Sequence, residues 1–142
     1  MVQSKLTATT SIRIRFSETD ALGIAWHGNF LTYFEDGRDA FGDKYGLHYL
    51  DIFNNGFVAP IVNVNCDYKK MIYYGDTILI DTTYKNCASS KLILHYKIYT
   101  PETNETIATG STTQVFLDTA TKKLQLRPPA FLLEWKQKHQ LI

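Results

Sequence analysis

Asn29-Phe30-Leu31-Thr32-Tyr33-Phe34-Glu35-Asp36-Gly37-Arg38-Asp39-Ala40-Phe41 is the stretch on which the fold turns. Phe30, Phe34, Gly37 and Phe41 recur at steps of four, three and four, the spacing that lines up one face of an α-helix. Glu35, Arg38 and Asp39 fall elsewhere on its surface, with Glu35 and Arg38 spaced for an ion pair. The helix is predicted over Asn29–Tyr45, with Asn29 as N-cap and Gly46 as its stop. Its aromatic face needs a sheet to cover it.

Strands are predicted on both sides of the helix. Upstream, Thr9 to Phe16 alternates, with Ile12, Ile14 and Phe16 on one face and Ser11, Arg13 and Arg15 on the other. Downstream, Val62-Cys66-Tyr68, Ile78-Ile80-Tyr84 and Leu92-Leu94-Tyr96-Ile98 mark three alternating runs. Ile107 to Leu117 reads as a long strand, Lys122 to Arg127 as a short last one, and Ala130 to His139 as a terminal helix. Turns fall at Tyr74-Gly75-Asp76, Asn86 to Ser90, Pro101 to Asn104 and Asp118 to Thr121. The order is one strand, one long helix, then four or five strands in a meander. Short turns imply antiparallel neighbours. The expected class is α+β: one antiparallel sheet wrapped around one central helix, a single domain over residues 1–142.

Composition narrows the function. The chain has 142 residues, 44% hydrophobic and 20% charged, which excludes global disorder. Fifteen basic against fourteen acidic residues give a net charge of +1, far from the basic excess of a nucleic-acid binder. No apolar run is long enough for a membrane span. Met1 to Thr10 is polar and lacks the apolar core of a signal peptide. Two cysteines, Cys66 and Cys87, are too few for a disulfide framework or a zinc site. Both are placed in strand-like segments and read as buried free thiols, with a cytoplasmic location as the default.

His27, His48, His95 and His139 show no metal spacing, and no metal is expected. Neither a phosphate-binding Gly-rich loop nor a Gly-x-Ser-x-Gly elbow occurs. Lys69-Lys70 and Lys122-Lys123 read as solvated turn charges. The loop from Ser17 to Asn29 is different. It brings the carboxylate of Asp20, the imidazole of His27 and a helix N-terminus together. Unpaired N–H groups at a helix start stabilise a developing oxyanion. A carboxylate beside them is the minimal kit for acyl-transfer hydrolysis. On residue type alone, Asp20 reads equally as a loop cap and His27 as a polar helix-start residue.

Thr19-Asp20, Gly23, His27-Gly28-Asn29-Phe30, Tyr33-Phe34-Glu35 and Gly37-Arg38 resemble the signature of hotdog-fold acyl-CoA thioesterases. The resemblance is closest to the 4-hydroxybenzoyl-CoA thioesterase group that includes the tol-pal-associated enzyme. Tyr68 followed by Tyr74-Gly75-Asp76 resembles the same family's second signature. The resemblance spans roughly Thr9 to Leu117. It implies a homodimer or homotetramer with sites at the protomer boundary. It implies Asp20 as the catalytic carboxylate, and a backbone N–H of His27 or Gly28 as the oxyanion donor. The His27 ring would help place carbonyl or water. Ser89, Ser90 and Lys91 open a strand where related enzymes contact the coenzyme. No cofactor is implied, since coenzyme A is part of the substrate. Phe16 stands where relatives often carry Tyr, and Met71 where they usually carry Pro.

The expected activity is hydrolysis of an acyl-CoA thioester, with Asp20 as nucleophile or general base. The acyl group and the choice between coenzyme A and an acyl carrier protein stay open at this level. A hotdog hydratase or dehydratase, and a non-catalytic acyl-binding module, are the alternatives.

Overall fold

The central helix α1 spans Asn29–Tyr45, as the aromatic spacing requires, in a computed structural model that describes residues 6–142. Phe30, Phe34, Gly37 and Phe41 are all buried along its inner face. Gly46 ends the helix in the left-handed conformation, φ 71°, and its N–H returns to Gly42 O. The remaining elements are β1 (Thr7–Arg13), a one-turn 3-10 helix (Phe16–Glu18), α2 (Tyr49–Asn54), β2 (Phe57–Val58), β3 (Ile61–Tyr68), β4 (Thr77–Lys85), β5 (Lys91–Tyr99), β6 (Thr106–Val115), β7 (Leu117–Asp118) and α3 (Ala130–Lys138).

Five strands form one antiparallel sheet in the order β1-β4-β5-β6-β3. The helix lies against one face of it, over β1, β4 and β5. Ile78, Ile80, Thr82 and Tyr84 of β4 are buried beneath it, as are Leu92, Leu94, Tyr96 and Ile98 of β5. Phe34 stacks on Tyr96 at 4.4 Å between ring centroids. Two glycines make this approach possible. A Cβ on Gly37 would collide with the Thr82 hydroxyl, and one on Gly110 with the Phe34 ring and Asn65 O. The helix therefore sits closer to the sheet than any larger residue at position 37 permits.

Several expectations need correction. The four strands after the helix are not a simple meander. β3 pairs with β6 at the far edge, and the segment after Tyr68 crosses the sheet before β4 begins beside β1. The β4-β5-β6 part does follow the expected hairpins. Phe16 is not on the core face: β1 ends at Arg13, and the Glu18 carboxylate accepts the Arg15 N–H at 2.7 Å, turning the chain and leaving Phe16 75% exposed. Asn29 is the first helical residue and not the cap; Gly28 holds the cap position, while the Asn29 side-chain amide donates to Glu18 O at 2.6 Å.

The long last strand breaks at Phe116, which is fully buried, so that β7 leaves the main sheet to pair with β2. Lys122 to Arg127 forms no strand and contributes one isolated bridge, Leu117 to Leu124. Cys87 lies in the β4–β5 turn and not in a strand; both thiols are free and only half-buried. Burial pushes the Cys66 thiol above its ordinary pKa. Among the described residues no helix is long and apolar enough to cross a membrane. The part of the Met1 to Thr10 reading that falls on residues 1–5 lies outside the described residues.

Candidate active site

The loop between β1 and α1 is a tight, internally bonded platform. Asp20 N–H donates to Ile24 O at 2.8 Å and Gly23 N–H to Asp20 O at 3.0 Å. Gly23 takes φ 76°, a conformation that costs a residue with a Cβ. Trp26 N–H closes the loop on itself by donating to Glu18 O, and the loop is tied down from outside where Ala25 N–H donates to Ile72 O. Asp20 is part of this bonding. Its Oδ1 accepts the Leu22 N–H at 2.8 Å and the Ile24 N–H at 3.2 Å. Its Oδ2 has no partner among the described residues. The loop-cap and reactive-carboxylate readings of Asp20 thus fall on different oxygens of one side chain.

Asp20 and His27 line the same open cleft, about 630 Å³, with Ala25, Trp26, Phe30 and Tyr68. The cleft sits at the start of α1. The Asn29 N–H returns to Trp26 O and the Phe30 N–H to His27 O. The N–H groups of His27 and Gly28 have no acceptor among the described residues, so they are the free donors there. The Trp26 ring lies across Gly28 so closely that a Cβ at position 28 would fall inside it. Tyr68, the last residue of β3, donates its hydroxyl to His27 O at 2.9 Å, and its ring meets Phe30 edge-on at 5.0 Å.

Expected residues separate into two groups. Asp20 and His27 line one cleft, with Gly28 next to His27 in the chain. Ser89, Ser90 and Lys91 do not join them within the chain. They lie at the β4–β5 turn, and nine-residue strands at about 3.3 Å per residue put that turn about 30 Å from the cleft end of the sheet. Ser90 is buried with an unpartnered hydroxyl, while Ser89 and Lys91 are exposed.

Other side chains behave as their types suggest, with some additions. Glu35 and Arg38 form the expected ion pair, and Lys70 pairs with Glu105. Asp39, Asp43 and His48 bring ligand-type atoms within 4.8 Å of one another. His48 is already engaged there, bonding Asp39 through Nε2 at 2.6 Å and accepting the Leu50 N–H through Nδ1 as the cap of α2. Tyr68 and Trp26 were not singled out as site residues from sequence. The alternation of β3 toward the helix carries the signal for Tyr68; Trp26 has none beyond its place in the loop.

A second cavity, about 690 Å³, opens beside α2 and is walled by Leu50, Phe53, Val58, Pro60 and Leu117. Gln114 borders it from β6, buried, with Nε2 donating to Ala59 O at 2.7 Å and Oε1 unpartnered among the described residues.

The comparisons with known proteins bear on the family and the fold. Residues 14–135 match the model of the thioesterase-like superfamily. YneP of Bacillus subtilis, provisionally named an acyl-CoA thioesterase, is 37% identical over 90 residues, 63% of this chain; the chain spans 65% of YneP. A 1,4-dihydroxy-2-naphthoyl-CoA hydrolase of Microcystis aeruginosa is 28% identical over 124 residues, 86% of this chain and 87% of that protein. Among solved structures, a DHNA-CoA thioesterase from Staphylococcus aureus superposes with TM-score 0.82 at 30% identity, covering 95% of this chain and 91% of that one. The expected class of enzyme, a thioester hydrolase, is the class these relatives are named for. With the family model covering the loop before the central helix, the helix itself and four of the five strands of the sheet, the chain belongs to the thioesterase-like superfamily and has its hotdog fold.

Proposed function

We propose that the chain hydrolyses an acyl-CoA thioester at the start of α1. One observation carries the reading: the Asp20 carboxylate, whose Oδ2 has no partner among the described residues, lines the same cleft as His27, and the N–H groups of His27 and Gly28 have no acceptor among the described residues. A thioester carbonyl seated there meets a nucleophile on one side and oxyanion donors on the other. Asp20 either attacks the carbonyl carbon, expelling the coenzyme thiolate and leaving an anhydride for water to open, or takes a proton from the water that attacks. Both routes end in free acid and coenzyme A. In both, negative charge grows on the carbonyl oxygen, where a backbone N–H at a helix start stabilises it.

The cleft is open on the side of β3, and pairing of two β3 edges would close it. Along β3 the exposed residues include Ile61, Val62 and Val64, apolar side chains on an unpaired edge. A two-fold antiparallel pairing sets Tyr68 of one protomer beside Ile61 of its partner. That brings the partner's Lys91 end of the sheet, and its apolar cavity by α2, toward the Asp20 cleft. Ser89, Ser90 and Lys91 then act as coenzyme contacts from the partner, and the cavity of Leu50, Phe53 and Val58 receives the acyl group.

The relatives named for 1,4-dihydroxy-2-naphthoyl-CoA favour a bicyclic aromatic acyl group over the smaller 4-hydroxybenzoyl one. A substrate panel tests the reading. Benzoyl-CoA, 4-hydroxybenzoyl-CoA, 1,4-dihydroxy-2-naphthoyl-CoA and aliphatic acyl-CoA are each assayed for free thiol. Release of thiol, fastest with an aromatic substrate, is expected. Binding without thiol release, or a change in enoyl absorbance in its place, would refute it.

A further inference from the structure

Tyr68 donates its hydroxyl to His27 O at 2.9 Å, and that carbonyl belongs to the same peptide unit as the Gly28 N–H. The peptide is trans, so the carbonyl and the N–H point in opposite directions across one rigid plane. A hydrogen bond on the oxygen fixes the plane and draws electron density from the nitrogen, making the N–H a stronger donor. We propose that Tyr68 is a positioning residue for thioester hydrolysis: its hydroxyl aims and polarises the His27–Gly28 peptide whose N–H meets the developing oxyanion. The proposal rests on the reading of the helix start as the oxyanion site.

Several observations support it. The ring of Tyr68 needs no hydroxyl for its packing, since its contacts with Phe30 and His27 are both edge-on aromatic contacts that Phe would also make. Other polar groups around the loop hold different peptides: Asn29 and Trp26 bond Glu18 O, and Asp20 bonds Leu22 and Ile24. The helix holds His27 O only through a 3.2 Å bond from Phe30 N–H among the loop and cap contacts, so the shorter Tyr68 bond is the tighter restraint. Burial, with Cys66 adding to it, pushes the phenol above its ordinary pKa, so the hydroxyl keeps its proton through neutral pH. Tyr68 also ends the edge strand β3, so whatever pairs with that edge acts on the same peptide.

Tyr68→Phe tests the proposal in two backgrounds. In the otherwise unchanged chain, kcat for benzoyl-CoA is expected to fall about 3- to 10-fold, the factor for one hydrogen bond, with KM within about 2-fold. The second measurement uses Asp20→Asn to stop turnover. Benzoyl-CoA labelled with ¹³C at the thioester carbonyl is bound, and its carbonyl stretch is read by isotope-edited infrared difference spectroscopy. With Tyr68 present the band is expected below its position in buffer, and Tyr68→Phe is expected to return it part of the way. A purely structural role would leave that band unmoved. A band displaced equally with and without the Tyr68→Phe substitution, or a change confined to KM, would overturn the proposal alone. A band undisplaced even with Tyr68 present would overturn the oxyanion reading beneath it.

Discussion

Replacing Asp20 by Asn removes a charge while keeping the loop that holds it. The side chain has two jobs on separate atoms. Oδ1 accepts the Leu22 and Ile24 N–H groups, and Oδ2 has no partner among the described residues, in a side chain that lines the cleft. Asn keeps a carbonyl oxygen for the first job and places an NH₂ at the second. Hydrogen bonds to a neutral acceptor are weaker than those to a carboxylate, so the loop loses about 1 kcal/mol. For a chain of this size that lowers Tm by about 4 °C. The chemical loss is much larger. Neither attack on the carbonyl nor proton removal from water survives, and a fall in kcat of about 10²–10⁴-fold is expected, or about 2.7–5.4 kcal/mol of barrier. KM should change little, because the amide still fits. The assay follows released coenzyme A with a thiol reagent across substrate concentration, beside a thermal melt of the same sample. Near wild-type kcat in a folded Asp20→Asn protein would refute the assignment. Asp20→Ala offers no such separation, because it also strips the loop of its acceptor.

Substituting His27 by Ala should lower kcat by about 10-fold or less, since its backbone and not its ring supplies the main donor; kinetics that match the loss in Asp20→Asn would reverse that ranking. Gly37→Ala should destabilise the fold by about 1–3 kcal/mol, because the new methyl meets Thr82 and Ile80 beneath a packed helix; an unchanged denaturation midpoint would show that the helix can lift without cost. Tyr33 and Tyr96 are pushed by burial to about 12 from 10.0. Their neutral forms are favoured in the folded state, so this contribution is fully present below pH 10 and is lost as pH rises through 12. Urea melts from pH 9 to 12, read beside tyrosinate absorbance, should show the decline; nine tyrosines all ionising near pH 10 in folded protein would contradict it. If the site is shared between protomers, turnover per chain should fall with dilution as the assembly dissociates in sedimentation, and a stable, fully active monomer would exclude the shared site.

The parts of this fold that were legible from sequence are those where one face of an element meets one apolar layer. The bounds of α1 follow from its aromatic face, and Ile78 to Tyr84 and Leu92 to Ile98 alternate because one side is buried. Pairing order was not legible. β3 alternates as cleanly as its neighbours, yet nothing in that alternation says whether its partner is β4 or β6; the choice depends on a crossing segment whose contacts are long-range. Phe16 misled for a related reason. Alternation continues through it, while the turn is set by Glu18 reaching back to the Arg15 N–H. α2 is six residues long and capped by a histidine, leaving little periodic signal. At the candidate site, residue types pointed to Asp20, His27 and Gly28, but only the folded loop shows that Oδ1 of Asp20 is bonded to the backbone while Oδ2 has no partner among the described residues.

That division of Asp20 bears on why an aspartate stands there. A reactive carboxylate on a free loop would sample many orientations, and each productive encounter would carry the entropy of selecting one. Here the carboxylate is itself the acceptor that closes the turn, so the turn and the direction of Oδ2 are set together. Glutamate has the same charge but one more methylene, which would carry its oxygens past the Leu22 and Ile24 N–H groups or leave them unbonded. Gly23 completes the arrangement, because its positive φ brings the Ile24 N–H back within reach of Oδ1. On the other wall of the cleft, the His27–Gly28 peptide is held by the helix behind it and by Tyr68 beside it. The proposed catalytic carboxylate and the proposed oxyanion donor are thus each tied to backbone within one short loop. On the proposed reading, the chemistry depends on that loop as a unit more than on any single side chain that approaches from solvent.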